Sequence, residues 1–227
     1  MPTAGRPEYA EEAVEMFRRQ TWPRRELVIL DDADRPSLDG FQKCQYGEGW
    51  SITRIVEKPL GGLGTKRNRV NSFAMGSIVC HWDDDDIYSD DRVEHQARRL
   101  LASEKQIVGY CPLLFWTEAT GKLWRYTASR PGDAPGGTLM YYLHFWLRQN
   151  PMKDRPERFG TDTIWIRSNR IFIDACDGER RYIARNHPAG INGRCDASIE
   201  KDIAGGCDQW EFLGVDKSCR RALTVSA

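Results

Sequence analysis

The chain has 227 residues, a length that fits one large α/β domain better than two very small ones. Lys plus Arg and Asp plus Glu each number 33, so the formal net charge is zero. This balance argues against a general nucleic-acid binder, a class that usually carries a basic excess. There is no apolar run of about 18 residues and no signal-peptide pattern at the start, so we expect no transmembrane segment. The seven cysteines form no CxxC pair, which favours reduced thiols and a cytoplasmic protein.

The first hundred residues predict an alternation of helices and strands. In chain order, the predicted elements are a helix over 9–19, strands over 26–30 and 51–56, a helix over 65–75, a strand over 77–82 and a helix over 90–103. In the helix over 65–75, Val70, Phe73 and Ala74 are expected to face inward. The apolar side of the helix over 90–103 consists of Val93, Ala97, Leu100 and Leu101. Such alternation is typical of an open, mostly parallel sheet flanked by helices. Ligands bind at the carboxyl ends of the strands in sheets of this kind.

The second half of the chain is less regular. The segments 107–116 and 122–127 predict paired strands, and 138–142 predicts a strand that leads into a short helix through Trp146. No linker or internal repeat divides the chain, so we expect a single domain over 1–227.

Four consecutive carboxylates, Asp83 to Asp86, follow the apolar strand predicted at 77–82. Such a cluster repels itself unless a cation neutralises it, and hard oxygen ligands suit Mg²⁺ or Mn²⁺. The alternative is a solvated acidic turn that caps the next helix. The preceding apolar strand favours a ligand site.

A second acidic pair, Asp31 and Asp32, ends the strand predicted at 26–30. These carboxylates are suited to accept hydrogen bonds from a nucleobase or a ribose. An Asp-Asp pair after a strand is also a common turn, and this alternative stays open.

Three parts of the first hundred residues together resemble family 2 glycosyltransferases of the GT-A fold. The segments that carry the resemblance are 1–7 with Tyr9, 20–23 and 26–32 as the opening, 64–69 as the glycine-Ala-Arg-Asn segment, and 81–88 as the strand-terminal DxD block with Asp83 and Asp85 as its two aspartates. Further along, 137–146 and 160–163 resemble the acceptor-side region, although Thr161 stands where the family usually has glutamate. His187 with Asn192 resembles a late His-x-x-Asn segment.

The resemblance implies a metal-dependent transfer of a sugar from a nucleotide-diphosphate sugar, with UDP as the default nucleotide, to an acceptor hydroxyl with inversion. For the nucleotide, the resemblance implies contacts from Pro2, Thr3 and Arg6, with Asp31 and Asp32 near the base and ribose and Arg67 near the base or the diphosphate. For the metal, it implies Asp85 as ligand of Mn²⁺ or Mg²⁺, His187 as a further ligand, and Asp83 or Asp84 on the ribose or a metal-bound water. Asp162 would be the general base. The acceptor would be a glycan, a lipid-linked sugar or a protein. Asp162 also suits a helix N-cap, and His187 also suits a packing role.

The resemblance also implies that the two halves of the α/β domain bind different substrates. Residues 1–104 would form the nucleotide-sugar-binding half and 105–227 the acceptor-side half of a GT-A-like domain. The first strand of that fold normally precedes the segment at 1–7, so we expect it to be truncated in this sequence.

Three competing functions are considered beside this one. A nucleotidyltransferase would use similar strand-end carboxylates, but it normally shows a glycine-rich basic loop after its first strand, for which 3–7 is too short. A calcium-stabilised carbohydrate-binding module would use the aspartates and the eight tryptophans, but such modules are mostly β and secreted. An inactive transferase-like scaffold is favoured by the truncated strand and by Thr161.

Overall fold

The computed structural model describes residues 1–34, 38, 44–130, 132–149, 151–154, 165–166, 168–169, 172–187, 196–206 and 209–217. These residues form an α/β fold of mixed sheets flanked by helices, which confirms the predicted fold class. The strands are β1 (Pro2–Thr3), β2 (Arg25–Asp31), β3 (Cys44–Gly47), β4 (Trp50–Val56), β5 (Ile78–Cys80), β6 (Ile87–Tyr88), β7 (Ile107–Tyr110), β8 (Leu113–Thr117), β9 (Lys122–Thr127), β10 (Met140–Tyr142), β11 (Ile173–Cys176), β12 (Tyr182–Asn186) and β13 (Gln209–Val215). The helices are α1 (Pro7–Arg18), α2 (Leu63–Asn71), α3 (Arg92–Ala102), α4 (Leu143–Arg148) and α5 (Asp196–Gly205), with a 3₁₀ turn at Gly136–Thr138.

The first sheet has the strand order β1-β2-β4-β3, and its first three strands run parallel. The middle strand β2 is an apolar run buried from Leu27 onwards, as expected of a strand that is covered on both faces. Its register pairs Thr3 of β1 with Asp31 of β2. The sheet therefore brings the end of β1 beside the first acidic pair.

The other strands form two further sheets in which antiparallel pairs predominate. One sheet has the order β11-β7-β10-β5, and the other has the order β13-β9-β8-β12-β6. The predicted strand at 107–116 is two strands in different sheets, because Pro112 lacks the N–H group that a continuous ladder needs. The predicted pairing of 107–116 with 122–127 holds for β8 and β9. Parallel pairing thus dominates only the first sheet, and β5 joins β10 rather than extending that sheet.

Helices α1 and α3 cover the sheets with their apolar sides. The proline at the start of α1 has the backbone geometry that a first helical turn needs, and the helix buries Ala13 and Phe17. In α3, Ala97 and Leu100 are buried as predicted, whereas Leu101 is exposed near the end of the helix. Among the described residues, no helix is long and apolar enough to cross a membrane.

The inward side of α2 is polar, and here the sequence prediction is wrong. Val70 is only half-buried, and the other two residues expected to face inward, Phe73 and Ala74, lie beyond the end of the helix, where Ala74 packs against the core. The buried residues of α2 are Gly64, Arg67 and Asn71. Asn71 donates a hydrogen bond to the Tyr141 hydroxyl at 2.7 Å, and Arg67 pairs with Asp83. The face of α2 is polar because it lies against the acidic turn rather than against an apolar layer.

The beginning of α2 is held by a distant segment of the chain. The Asp154 carboxylate accepts hydrogen bonds from the Thr65 amide at 3.0 Å and from the Thr65 hydroxyl. The Asn68 side chain exchanges two hydrogen bonds with the Met152 backbone, at 2.7 and 3.1 Å. These contacts attach 151–154, in the predicted acceptor-side half, to the helix that carries Arg67.

Candidate active site

An open cleft of about 570 Å³ lies at the carboxyl ends of β1 and β2. It is lined by Ala4, Gly5, Asp32, Ala33, Asp34, Pro59, Gly61 and Lys66. Gly5 adopts a φ of 66°, a left-handed conformation that favours glycine and that turns the chain from β1 into α1. The cleft occupies the strand-end position that the sequence predicts for ligand binding.

The two aspartates that end β2 have different surroundings. Asp32 lines the cleft, where its carboxylate lies 2.6 Å from the Lys66 ammonium and accepts a hydrogen bond from the Leu60 amide at 2.9 Å. Asp31 is completely buried and accepts a hydrogen bond from Arg54 at 3.0 Å. Successive strand residues point to opposite faces, so only Asp32 of this pair is presented to the cleft.

The acidic turn lies between β5 and β6, and its first carboxylate is paired with α2. Both oxygens of Asp83 accept hydrogen bonds from Arg67 Nη2, at 2.9 and 3.0 Å. Burial opposes ionisation of Asp83, but the Arg67 charge outweighs it and holds the pKa of Asp83 below its ordinary value. Arg67 is therefore a fixed counter-charge of the turn.

Arg6 bridges the next two carboxylates. Its Nη2 donates to Asp84, and its Nη1 donates to Asp85 Oδ2 at 2.6 Å. Asp84 also accepts a hydrogen bond from the Thr3 hydroxyl at 2.7 Å. Burial raises the pKa of Asp84 to about 6, although Arg6 opposes the rise, and the charge of Asp85 adds to it. Four of the predicted site residues from the first half, Thr3, Arg6, Asp84 and Asp85, thus meet directly.

The fourth carboxylate, Asp86, ties the turn to β12. It accepts hydrogen bonds from the Tyr182 hydroxyl and from the Arg185 amide, the latter at 2.9 Å. Burial raises the pKa of Asp86 well above its usual range. Asp86 is a structural member of the acidic cluster, and no local sequence signal marks its distant partners.

His187 follows β12 and reaches the same turn. Its Nε2 lies 3.1 Å from Asp85 Oδ2, and its ring lies 4.4 Å from the ring of Tyr9, measured between centroids. The structure therefore brings together the two residues that the sequence predicts as metal ligands. Within the described ranges, no group of three or more histidine, cysteine or acidic side chains is placed to hold a metal ion.

Arg92, which the sequence reasoning missed, helps to hold the acidic turn in place. It is completely buried in α3, and its Nη2 donates to the carbonyl oxygens of His81 at 2.8 Å and Gly137 at 2.9 Å. Its guanidinium also lies 4.4 Å from the ring centroid of Tyr88 and 4.8 Å from that of Tyr182. Tyr88 in turn bonds the backbone of the acidic turn, so Arg92 supports this turn indirectly.

His81 lies beneath the turn in one fixed tautomer. Its Nδ1 must donate to the Gly136 carbonyl at 2.6 Å, so its Nε2 accepts from the Tyr141 hydroxyl at 2.9 Å. Burial lowers the pKa of His81 from 6.5 to about 3, so the folded chain keeps this ring neutral.

The neutral His81 predicts a loss of stability in acid. Between about pH 6.5 and 3 the unfolded chain binds this proton and the folded chain does not, so the free energy of unfolding decreases as the pH falls. We expect His81→Gln to make this decrease shallower by up to about 1.4 kcal/mol per pH unit, measured by urea denaturation. The control is His144→Gln, the same substitution on an exposed side chain of α4, against which the slope of His81→Gln is compared. Equal slopes for the wild type and His81→Gln would contradict the prediction.

Two further site residues predicted from the sequence are Pro2 and Asp162. Pro2 lies in β1, in register with Leu30 of β2. Asp162, the predicted general base, lies outside the described residues.

Comparisons with known proteins show which family the chain resembles. The family model described as Glycosyl transferase family 2 matches residues 1–175. The chain is 30% identical over 91 residues to a cholesterol galactosyltransferase of Borreliella burgdorferi, a match that covers 39% of this chain and 25% of that protein.

The fold is similar to solved structures of S. aureus TarS. The TarS 1–349 structure has a TM-score of 0.59 and 17% identity, covering 82% of this chain and 59% of that chain. The complex of TarS 1–349 with UDP-GlcNAc also has a TM-score of 0.59, with 14% identity, covering 86% of this chain and 59% of that chain. The chain thus spans a quarter of the matched galactosyltransferase and less than two thirds of the TarS fragment. Since the family model covers more than half of its length, the chain belongs to glycosyl transferase family 2.

Proposed function

We propose that this chain transfers a glycosyl group from a nucleotide-diphosphate sugar to an acceptor hydroxyl. The observation that carries the proposal is the cleft at the ends of β1 and β2, whose wall leads through the turn at Ala4 and Gly5 to the acidic cluster. Family membership supports the same function. The TarS fragment was solved with UDP and with UDP-GlcNAc, which favours a UDP-sugar as the donor.

The nucleoside would bind in the cleft, and the diphosphate would extend towards the acidic turn. Asp32 offers carboxylate oxygens to base or ribose groups, and Lys66 pairs with the same carboxylate at 2.6 Å. Arg67 is buried and paired with Asp83, so its part is to hold that carboxylate in place. Arg6 follows the cleft-lining residues Ala4 and Gly5 and reaches the acidic turn, so we assign it to the diphosphate.

A divalent cation fits the chemistry of the residues around Asp85. Its carboxylate and the His187 imidazole would supply two ligands, and the diphosphate would supply others, as is usual for Mg²⁺ and Mn²⁺ sites. When bound, the ion would offset the negative charge that develops on the departing diphosphate. Asp86 accepts hydrogen bonds from the Tyr182 hydroxyl and the Arg185 amide of β12, so we assign it a structural role and not a metal-binding one.

The chemical step follows from a single displacement. The acceptor oxygen bonds to the anomeric carbon while the bond from that carbon to the diphosphate breaks, and the configuration inverts. The proton of the acceptor hydroxyl passes to a carboxylate, which the family resemblance assigns to Asp162. The acceptor would be a glycan, a lipid-linked sugar or a protein.

Calorimetric titration with UDP and GDP in the presence of MnCl₂ tests the donor site. The wild type is expected to bind one of the two, and Ala33→Trp is expected to abolish binding because the indole fills the cleft that Ala33 lines. The matched control is Ala102→Trp, which places the same side chain at the exposed end of α3. Absence of nucleotide binding by the folded wild type, or full binding by Ala33→Trp, would overturn the proposed site.

A further inference from the structure

Arg6 occupies the place in the acidic turn that a divalent cation would need. Its Nη1 lies 2.6 Å from Asp85 Oδ2, and the same oxygen lies 3.1 Å from His187 Nε2. An ion held by Asp85 and His187 would have to approach this oxygen and nitrogen to about 2.0–2.2 Å. The guanidinium and the ion therefore compete for one carboxylate oxygen.

The competition is strong because the site is poorly hydrated. The side chain of Arg6 is only 13% exposed, and that of Asp85 is 18% exposed. Two cations at one carboxylate repel each other more strongly where water is scarce. Divalent-ion binding between Asp85 Oδ2 and His187 thus requires that Arg6 leave this oxygen.

The backbone around Arg6 allows its side chain to leave without unfolding the turn. The Arg6 carbonyl accepts a hydrogen bond from the Ala10 amide at 3.0 Å, which fixes the start of α1. The two preceding residues, Ala4 and Gly5, line the cleft. A guanidinium binds phosphate as well as carboxylate. A diphosphate that extends from the cleft to the acidic turn is therefore a second binding partner for Arg6.

We propose that Arg6 is an internal counter-cation that neutralises Asp84 and Asp85 before the donor binds. When the donor binds, the Arg6 guanidinium moves from these carboxylates to the diphosphate. The exchange frees Asp85 for the divalent ion. Nucleotide and ion would then bind cooperatively, and the ion alone would bind weakly. The inference rests on the proposed nucleotide-sugar function, but the competition between Arg6 and the ion can be measured without any nucleotide.

Titration of the full chain with Mn²⁺, followed by electron paramagnetic resonance, tests the proposal. Without nucleotide, Arg6→Met is expected to bind Mn²⁺ at least about tenfold more tightly than the wild type. Saturating UDP is expected to raise the Mn²⁺ affinity of the wild type almost to that of Arg6→Met, and to raise the Mn²⁺ affinity of Arg6→Met much less. Arg6→Gln, which keeps hydrogen-bonding capacity without charge, is expected to behave as Arg6→Met does.

The control removes an equal charge from the same cleft. Lys66 pairs with Asp32 and not with the acidic turn, so Lys66→Met is expected to change the Mn²⁺ affinity without nucleotide by less than about threefold. A gain in Lys66→Met as large as that in Arg6→Met would show a general charge effect and overturn the proposal. The absence of any gain in both Arg6 variants would also overturn it.

Thermal denaturation gives a second measurement that does not depend on one variant. In the absence of nucleotide, Mn²⁺ is expected to raise the Tm of both Arg6 variants more than that of the wild type, because a ligand stabilises the state that binds it. Equal shifts in Tm would contradict the proposal. A wild type that fails to bind UDP while the Arg6 variants still gain Mn²⁺ affinity would refute the proposed donor site and leave the competition standing.

Discussion

Replacement of Asp85 by asparagine is expected to lower the rate of glycosyl transfer by about two to four orders of magnitude. Asparagine keeps the size of the side chain but removes the charge that holds Arg6 at 2.6 Å and faces His187 at 3.1 Å. The variant loses both the proposed ligand of the divalent ion and the partner of Arg6. Release of UDP from UDP-sugars, with saturating Mn²⁺ and candidate acceptors, measures the effect.

The matched control for this prediction is Asp174→Asn. Asp174 also pairs with an arginine, Arg99, but the pair lies at the edge of the second sheet, and the Arg99 side chain is 47% exposed. We expect the rate of Asp174→Asn to stay within about twofold of the wild type, because its carboxylate pairs with Arg99 and not with a residue of the cleft or of the acidic turn. Circular dichroism establishes that both variants fold. A folded Asp85→Asn with a rate within about threefold of the wild type would refute the assigned role.

Arg92→Met is expected to lower the free energy of unfolding by about 3–5 kcal/mol, the largest effect on stability that we predict. Methionine fills part of the space but cannot donate to the His81 and Gly137 carbonyls, which would remain buried without this partner. It also loses the contacts of the guanidinium with the rings of Tyr88 and Tyr182. Urea denaturation followed by tryptophan fluorescence measures the change.

Arg98→Met, on the same helix, separates this effect from a loss of charge on α3. The Arg98 side chain is 71% exposed and pairs with Glu94 one turn away. We expect its removal to change the free energy of unfolding by no more than about 0.5 kcal/mol. Similar losses in the two variants would show that burial and the hydrogen bonds of Arg92 are not the cause.

Several features of this chain could be predicted from the sequence because they depend on neighbouring residues. The apolar run at 26–30 specifies a strand buried on both faces, and β2 has that structure with Asp31 and Asp32 at its carboxyl end. The four carboxylates after β5 form a turn at a strand end, as their position predicts. The periodic apolar residues of α1 and α3 likewise locate those helices to within a few residues. The motifs of the first hundred residues indicated the family, and the family model confirms it.

The partners of each charged side chain are decided by the tertiary structure. Arg6 lies 79 residues from Asp85 along the chain, and Tyr182 lies 96 residues from Asp86, yet each pair is in contact. No local pattern records such a pairing, since it depends on how three sheets are placed around the turn.

The same reason explains the errors in the sequence-based prediction. An apolar side of Val70, Phe73 and Ala74 was expected for α2, but the helix ends at Asn71. It buries Arg67, which pairs with Asp83, and Asn71, which bonds Tyr141. The strand β5 was expected in a parallel sheet, but its hydrogen-bonding partner β10 follows about 60 residues later. Local periodicity and motifs are enough to predict most of the helices and strands, the acidic ends of two strands and the family. The carboxylate that faces the cleft and the cation that neutralises it follow from the fold, because burial and pairing of charges arise between segments that are distant in the chain.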